Sequence, residues 1–123
     1  MSAPVLIRRA AVPPDREPRC RSIVPPAAGG RTEPAIFEWE LRGECWTDEH
    51  PHTEYNYVIE GRLVVECGGL TVEAHAGDLV LVPAGAQGRY SAPEYARLLA
   101  IYGPSDGRPS RITGLQRLEA QPS

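Results

Sequence analysis

The sequence contains no lysine, and all thirteen of its basic residues are arginine. Schiff-base catalysis and covalent attachment of pyridoxal phosphate both need a lysine amine, so this chain cannot supply either. Cysteine is also scarce, because Cys20, Cys45 and Cys67 are the only three and no CxxC spacing joins them. This pattern predicts neither a disulfide framework nor a cysteine zinc site, and we expect buried free thiols.

Long apolar runs and blocks of like charge are missing as well. The formal net charge is −3, and no stretch approaches the roughly 20 apolar residues of a spanning helix. The first residues lack the apolar core of a signal peptide. We therefore expect a cytoplasmic protein that binds neither nucleic acid nor membrane.

Proline and glycine, in contrast, are abundant, with 13 and 12 copies spread along 123 residues. A chain of this length forms one domain. Residues 13–34 are rich in both residue types and show little periodicity. The sequence predicts an N-terminal arm over residues 1–34, with an edge strand near residues 5–12, and a barrel domain with a short C-terminal tail over residues 35–123.

Six apolar segments have the length and turn-bounded spacing of strands. They are Ala35–Leu41, Glu54–Ile59, Arg62–Glu66, Leu70–Glu73, Leu79–Val82 and Ala96–Tyr102. Such strands without helices between them favour an antiparallel sandwich or barrel. Only residues 112–120 have the pattern of a short helix. The predicted fold class is therefore all-β.

Two spaced motifs carry a family resemblance. They comprise Gly43, His50, His52, Glu54 and Gly61, followed by Gly77, Pro83 and Gly85. Together they resemble the two-part signature of a single-domain cupin over about residues 35–102. The segment from Pro83 to Tyr90 is similar to that of ethanolamine-utilisation-type and ureidoglycine-type cupins. The resemblance implies a small jelly-roll barrel with a polar site at its open end. The proline-rich arm precedes this barrel in the sequence.

The cupin pattern implies metal ligands in one of two registers. Counted back from Glu54, the family positions are Asp48 and His50, and the last ligand position falls on Gly88, which has no side chain. In a second register His50 pairs with His52, because alternate strand residues share a face. Candidate ligands are therefore Asp48, His50, His52 and Glu54, for one zinc, nickel, manganese or iron ion. A metal-free site is the alternative.

Without a metal, the same residues offer acid–base catalysis. Glu54, His50 and a tyrosine could exchange protons in an elimination or isomerisation. By strand alternation, Tyr57 faces away from Glu54, so Tyr90 is the better tyrosine. Candidate substrate-binding residues are Trp46 as a lid, Arg89 and Arg97 as a clamp for a carboxylate or phosphate, and Gln87.

These features favour a small-molecule enzyme. We expect a lyase, isomerase or dehydratase-type step on a small carbonyl or carboxylate compound. The alternatives are a metal-dependent dioxygenase and a non-catalytic protein that binds a small ligand. We also expect a homodimer, because the arm has too few apolar residues to fold alone and apolar barrel faces commonly find cover in a partner.

Overall fold

The computed structural model describes residues 3–9, 19–24, 34–103 and 108–118. These residues form nine strands: β1 Arg19–Val24, β2 Ala35–Leu41, β3 Glu44–Glu49, β4 Glu54–Cys67, β5 Leu70–His75, β6 Leu79–Val82, β7 Gln87–Ala92, β8 Ala96–Tyr102 and β9 Arg111–Arg117. Within those ranges no helix is long and apolar enough to span a membrane. The fold is all-β, as predicted.

The nine strands form one antiparallel sheet that curls into a half-barrel. Strands β1, β2, β8, β4 and β6 are neighbours in a first layer. Strands β9, β3, β7, β4 and β5 are neighbours in a second layer. The long strand β4 belongs to both, and its two halves join the layers around a shared interior.

Gly61 is the point at which β4 crosses from one layer to the other. Its φ is +82°, a value that side chains rarely tolerate. A Cβ atom there would lie 2.1 Å from the carbonyl oxygen of Tyr95, which accepts a 3.0 Å hydrogen bond from the amide of Arg62. The sequence predicted a turn here between two strands, and the structure has a bend within one strand.

The core fills the space between the two layers. Its largest fully buried apolar side chains are Tyr90, Leu41, Leu63, Leu98, Val58 and Val65. Along β4, Glu54 and Asn56 are buried whereas Tyr55 and Tyr57 are exposed. This is the predicted alternation, and it sets polar side chains into the inner face at the start of β4. All three cysteines are free, and only Cys45 is fully buried.

Several strand boundaries agree with the sequence prediction. Strands β2, β6 and β8 have the predicted bounds, and β5 extends to His75. The predicted helix at residues 112–120 is wrong, because Arg111–Arg117 is strand β9 and pairs with β3. Residues 119 and 120 lie outside the described residues.

The predicted arm contains a strand. Arg19–Val24 forms β1, which pairs with β2 at the edge of the first layer. Residues 3–9 have no regular secondary structure, and residues 10–12 of the expected edge strand lie outside the described residues. The part of the arm next to the barrel therefore contributes to the sheet.

Candidate functional site

Three side chains converge where β3 gives way to β4. Asp48 lies near the end of β3, His50 follows it, and Glu54 begins β4. Their ligand atoms all lie within 4.8 Å of one another. His50 Nε2 is 3.0 Å from Asp48 Oδ2 and 3.1 Å from Glu54 Oε2. The three residues that the structure brings together are those of the register implied by the cupin pattern. We call Asp48, His50 and Glu54 the triad.

The imidazole of His50 is held on two sides. Its Nδ1 hydrogen-bonds to Ser110 Oγ, and its ring stacks on Tyr102 with centroids 4.6 Å apart and planes 15° apart. These contacts direct Nε2 at the two carboxylates. Sequence reasoning missed both partners, because Ser110 is 60 residues away and Tyr102 had been assigned only to a strand.

Each carboxylate of the triad accepts a hydrogen bond from an aromatic residue. Trp46 Nε1 donates to Asp48 Oδ2 at 2.6 Å, and the Tyr90 hydroxyl donates to Glu54 Oε2 at 3.1 Å. Asn56 Nδ2 donates to the other oxygen of Glu54 at 3.2 Å. Since the triad carboxylates are 6% and 5% exposed, these donors help to compensate for their loss of water.

The electrostatics of the triad favour a cation. Burial lowers the pKa of His50, but hydrogen bonds to Asp48 and Glu54 outweigh burial and raise that pKa to about 10. One imidazolium then faces two carboxylates, which leaves the triad short of positive charge. Burial and the charge of Glu54 both raise the pKa of Tyr90, so its hydroxyl stays protonated and remains a donor.

Gly88 lies beside Asp48 on the neighbouring strand β7. A Cβ atom at Gly88 would lie 3.0 to 3.2 Å from atoms of the Tyr90 side chain. Its φ is not among the positive values found at other glycines. A side chain at Gly88 would therefore press on the Tyr90 ring, which adjoins the position at which the resemblance expects the last metal ligand.

The triad opens into a cavity of about 360 Å³. Its lining residues are Cys20, Phe37, Trp39, Trp46, Asp48, His50, Glu54, Ala100, Tyr102 and Ile112. Four of these are aromatic, and the charged groups all belong to the triad. No arginine is among the described residues that line this cavity, so its walls are apolar and its floor is acidic.

Of the predicted substrate-binding residues, Trp46 lines this cavity, whereas Arg97, Arg89 and Gln87 do not. Arg97 lies on the outer face of the first layer and pairs with Glu38 and Glu60. Arg89 and Gln87 line a separate cavity of about 300 Å³. His52 is buried but lies outside the triad, with its Nδ1 3.0 Å from Arg108 Nη2. The expected arginine clamp therefore does not form around the triad.

A model of the cupin domain matches residues 35–102, more than half of the chain. The chain is a cupin. It is 33% identical over 70 residues to the acetate kinase EutQ of Clostridioides difficile strain 630. That match covers 57% of this cupin and only 39% of EutQ. The solved structure of that EutQ protein has 28% identity and a TM-score of 0.54, and covers 58% of this chain and 52% of that one.

Two further solved structures match more of the chain at lower identity. A cupin-like protein from Thermotoga maritima has 16% identity and a TM-score of 0.68 and covers 77% of this chain and 74% of that one. Salicylate 1,2-dioxygenase from Pseudoaminobacter salicylatoxidans has 21% identity and a TM-score of 0.65. The match covers 78% of this chain and 29% of the dioxygenase chain. At these identities they show the cupin fold alone, whereas EutQ supports the ethanolamine-utilisation type.

Proposed function

We propose that this cupin binds one divalent metal ion through the triad and acts on a small, uncharged carbonyl compound in a lyase, isomerase or dehydratase-type step. The observation that carries the proposal is the position of Asp48, His50 and Glu54 on the acidic floor of an apolar cavity. Two carboxylates and one imidazole suit zinc, nickel, manganese or iron. A bound metal would polarise a carbonyl oxygen or lower the pKa of a water molecule.

Glu54 is the group that we propose as the catalytic base. It lines the cavity and can accept a proton from a carbon next to a carbonyl group. Asn56 and Tyr90 bind its two oxygens and fix the orientation of the carboxylate. Since Tyr90 keeps its proton and does not line the cavity, its role is to position Glu54.

The cavity walls support an uncharged ligand. Rings of Phe37, Trp39, Trp46 and Tyr102 offer apolar contact surface. A ligand carboxylate would meet no arginine among the described lining residues and would lie near the carboxylates of Asp48 and Glu54, whose charge has the same sign. A ketone or aldehyde avoids this repulsion, so of the two predicted substrate classes the carbonyl compound has more support.

A metal-free site is a second candidate, because the pKa of His50 is raised to about 10. At neutral pH, His50 Nε2 then carries a proton that it can donate, while Glu54 accepts another. His50 and Glu54 would then catalyse the same class of reaction without a metal ion. Oxygen chemistry, the other enzymatic alternative, would need a redox-active metal such as iron.

Titration calorimetry tests whether the protein binds a divalent metal ion at the triad. Protein made without a metal-binding affinity tag and freed of metal with a chelator is titrated with zinc, nickel, manganese and iron(II) ions. We expect one ion per chain, and weaker binding in Glu54→Gln. His75→Ala is the matched control, since the side chain of His75 is 63% exposed and remote from the triad. Failure of the unmutated protein to bind any of the four ions would reject metal binding.

Tryptophan fluorescence tests the ligand class. The chain has two tryptophans, and both line the cavity, so a ligand there should change their emission. We expect cyclohexyl methyl ketone to quench the chelator-treated protein at lower concentration than cyclohexanecarboxylate, which has a similar shape but carries a negative charge. Tighter binding of the carboxylate would contradict an uncharged ligand.

Proton abstraction can be measured without the natural substrate. Small hydroxyketones are incubated with the protein in D₂O, and loss of the signal from the proton next to the carbonyl is followed by NMR. We expect exchange with the unmutated protein and none with Glu54→Gln. Exchange that survives a chelator supports the metal-free candidate. If no hydroxyketone exchanges, the protein is better described as a non-catalytic binder.

A further inference from the structure

Tyr102 lies on the same inner face as Glu54. The two residues are directly opposite each other in the register of β8 and β4, and such a pair has Cβ atoms roughly 5 Å apart. The ring of Tyr102 stacks on His50 and also on Phe37, with centroids 5.5 Å apart. These contacts hold Tyr102 beside the triad, where it forms part of the cavity lining.

The nitrogen donors on the described cavity lining are already engaged within the protein. Trp39 Nε1 donates to Asn56 Oδ1 at 2.9 Å, and Trp46 Nε1 donates to Asp48. His50 directs Nε2 at the triad carboxylates, and its Nδ1 takes part in a further hydrogen bond. None of these nitrogens can turn to a ligand without breaking a bond that holds the site together.

The hydroxyl of Tyr102 differs from these nitrogen donors. Among the residues that the structure describes, Tyr102 has two ring contacts and no hydrogen bond from its hydroxyl. The phenol keeps its proton at neutral pH, because the pKa of a tyrosine is about 10. Cys20 also lines the cavity, but a thiol is a weak donor. Tyr102 therefore offers a ligand one strong donor that the described part of the protein does not use.

We propose that the Tyr102 hydroxyl donates the hydrogen bond that holds the carbonyl oxygen of the substrate in this cavity. An apolar pocket orients its ligand through a small number of polar groups. A carbonyl oxygen only accepts hydrogen bonds, so it matches a hydroxyl that has a proton to donate. Because Glu54 is opposite Tyr102 across two paired strands, the donor and the proposed base reach the ligand from neighbouring positions. This assignment rests on the proposed function and adds a substrate contact to it.

The same hydrogen bond also stabilises the product of proton removal. When Glu54 takes the proton from the carbon next to the carbonyl, the electron pair of the broken C–H bond moves toward the carbonyl oxygen and gives an enolate. A donor already directed at that oxygen stabilises the developing charge without reorganisation. Tyr102 is then a catalytic residue that contacts the substrate, in contrast to Tyr90, which acts through Glu54.

Ligand titration followed by tryptophan fluorescence tests the hydrogen bond in the chelator-treated protein. Cyclohexyl methyl ketone is compared with isopropenylcyclohexane, which has the same shape but carries a CH₂ group in place of the carbonyl oxygen. Tyr102→Phe keeps the stacked ring and should weaken ketone binding roughly fivefold, while binding of the alkene stays unchanged. Tyr55→Phe is the matched control, because Tyr55 is 38% exposed on the outer face of β4. Equal effects of Tyr102→Phe on the two ligands would overturn the proposal.

Infrared difference spectra of the bound ketone give a readout that needs no variant. The carbonyl stretch of a hydrogen-bonded ketone lies at lower frequency than that of the same ketone in an alkane solvent. We expect this lowering in the unmutated protein and its loss in Tyr102→Phe. A bound ketone with an alkane-like carbonyl stretch in the unmutated protein would show that no donor reaches its oxygen, and the proposal would be wrong.

Metal binding and proton exchange separate this proposal from the proposed function. Tyr102→Phe should keep the zinc affinity of the unmutated protein, because the ring still stacks on His50, and should slow hydroxyketone exchange about 100-fold. If Glu54→Gln abolishes exchange but Tyr102→Phe changes neither ketone binding nor exchange, the proposed function stands and the role of Tyr102 is wrong. If no hydroxyketone exchanges but ketone binding depends on the hydroxyl, Tyr102 is confirmed as the carbonyl donor of a non-catalytic binder.

Discussion

Glu38 and Glu54 lie on opposite faces of the first layer, and they are 8% and 5% exposed. Outside, one oxygen of Glu38 accepts bonds from Arg21, Arg97 and Arg9 at 2.7, 3.0 and 3.2 Å. Inside, Glu54 and Asp48 share the single imidazole of His50. Glu38 and Glu54 are similarly buried, but they differ in their cationic partners. Glu38 has three arginines, whereas Glu54 and Asp48 share one imidazole.

The pKa directions follow from this difference. Burial raises the pKa of Glu38, but Arg97, Arg21 and Arg9 outweigh burial and hold that pKa below its usual range. Fixed cations already satisfy this carboxylate, so it fits a structural role. The triad instead draws its positive charge from a titratable group, and a metal ion can supply what is missing. Charge balance, more than burial, separates the candidate site from the ion-pair network.

The largest expected effect is on metal affinity. Glu54→Gln removes a charged ligand oxygen and should weaken zinc binding at least about 100-fold, since even changes outside the ligands cost 10- to 100-fold. Glu38→Gln should leave zinc affinity unchanged, because Glu38 faces the opposite side of the sheet. Calorimetry on both variants measures the contrast. Equal losses in the two variants would mean that the metal does not bind at the triad.

The effects of these two substitutions on the free energy of unfolding should have the opposite order to their effects on zinc affinity. Glu38→Gln leaves three arginines without their shared charge and should lower the free energy of unfolding by about 3 kcal/mol. Glu54→Gln should cost less in the metal-free protein, because Asp48 still pairs with the imidazolium of His50. Glu73→Gln is the control, because its ion pair with Arg62 is solvent-exposed and worth less than about 1 kcal/mol. Urea denaturation measures all three, and a Glu54→Gln loss as large as that of Glu38→Gln would make Glu54 primarily structural.

Sequence patterns identified the strands that have regular apolar alternation, such as β2, β6 and β8. They missed β3 and β7 because these strands carry polar site residues where a core strand carries apolar ones. Asp48 and Gly88, which face each other across the pair, both break the pattern. The sequence predicts a helix in place of strand β9, because Gly114 and polar neighbours obscure the alternation of this strand.

The candidate site was predictable only where it is local in sequence. The resemblance to the cupin pattern implied Asp48, His50 and Glu54 as one of two registers. The contacts of His50 with Ser110 and Tyr102 depend on how distant segments fold, and no local pattern encodes them. The same is true of Arg97, whose pairing with Glu38 on the outer face could not be read from its position in β8.

The charge of His50 should make metal-free stability depend on pH. Its folded pKa of about 10 exceeds the ordinary value near 6.5. Its contribution is therefore complete below pH 6.5 and is lost as pH rises toward 10. We expect stability to decline across this range as the imidazolium loses its charge-assisted hydrogen bonds to Asp48 and Glu54. Thermal unfolding in chelator across this range should show it, and His50→Gln should flatten the curve. Equal slopes for both proteins would contradict the assigned charge.

The smallest expected effect belongs to Tyr90→Phe. The substitution keeps the ring, which packs edge-on against Trp39 at 5.6 Å, and removes only the hydroxyl that donates to Glu54. We expect a loss of about 1 kcal/mol in stability and about tenfold in metal affinity or proton exchange, because Asn56 and His50 still hold the carboxylate. Tyr57→Phe, on the outer face, should change neither. If Tyr90→Phe abolished exchange as fully as Glu54→Gln while metal affinity stayed near that of the unmutated protein, the hydroxyl would act in the proton transfer directly, and Tyr90 would become a catalytic residue alongside Glu54.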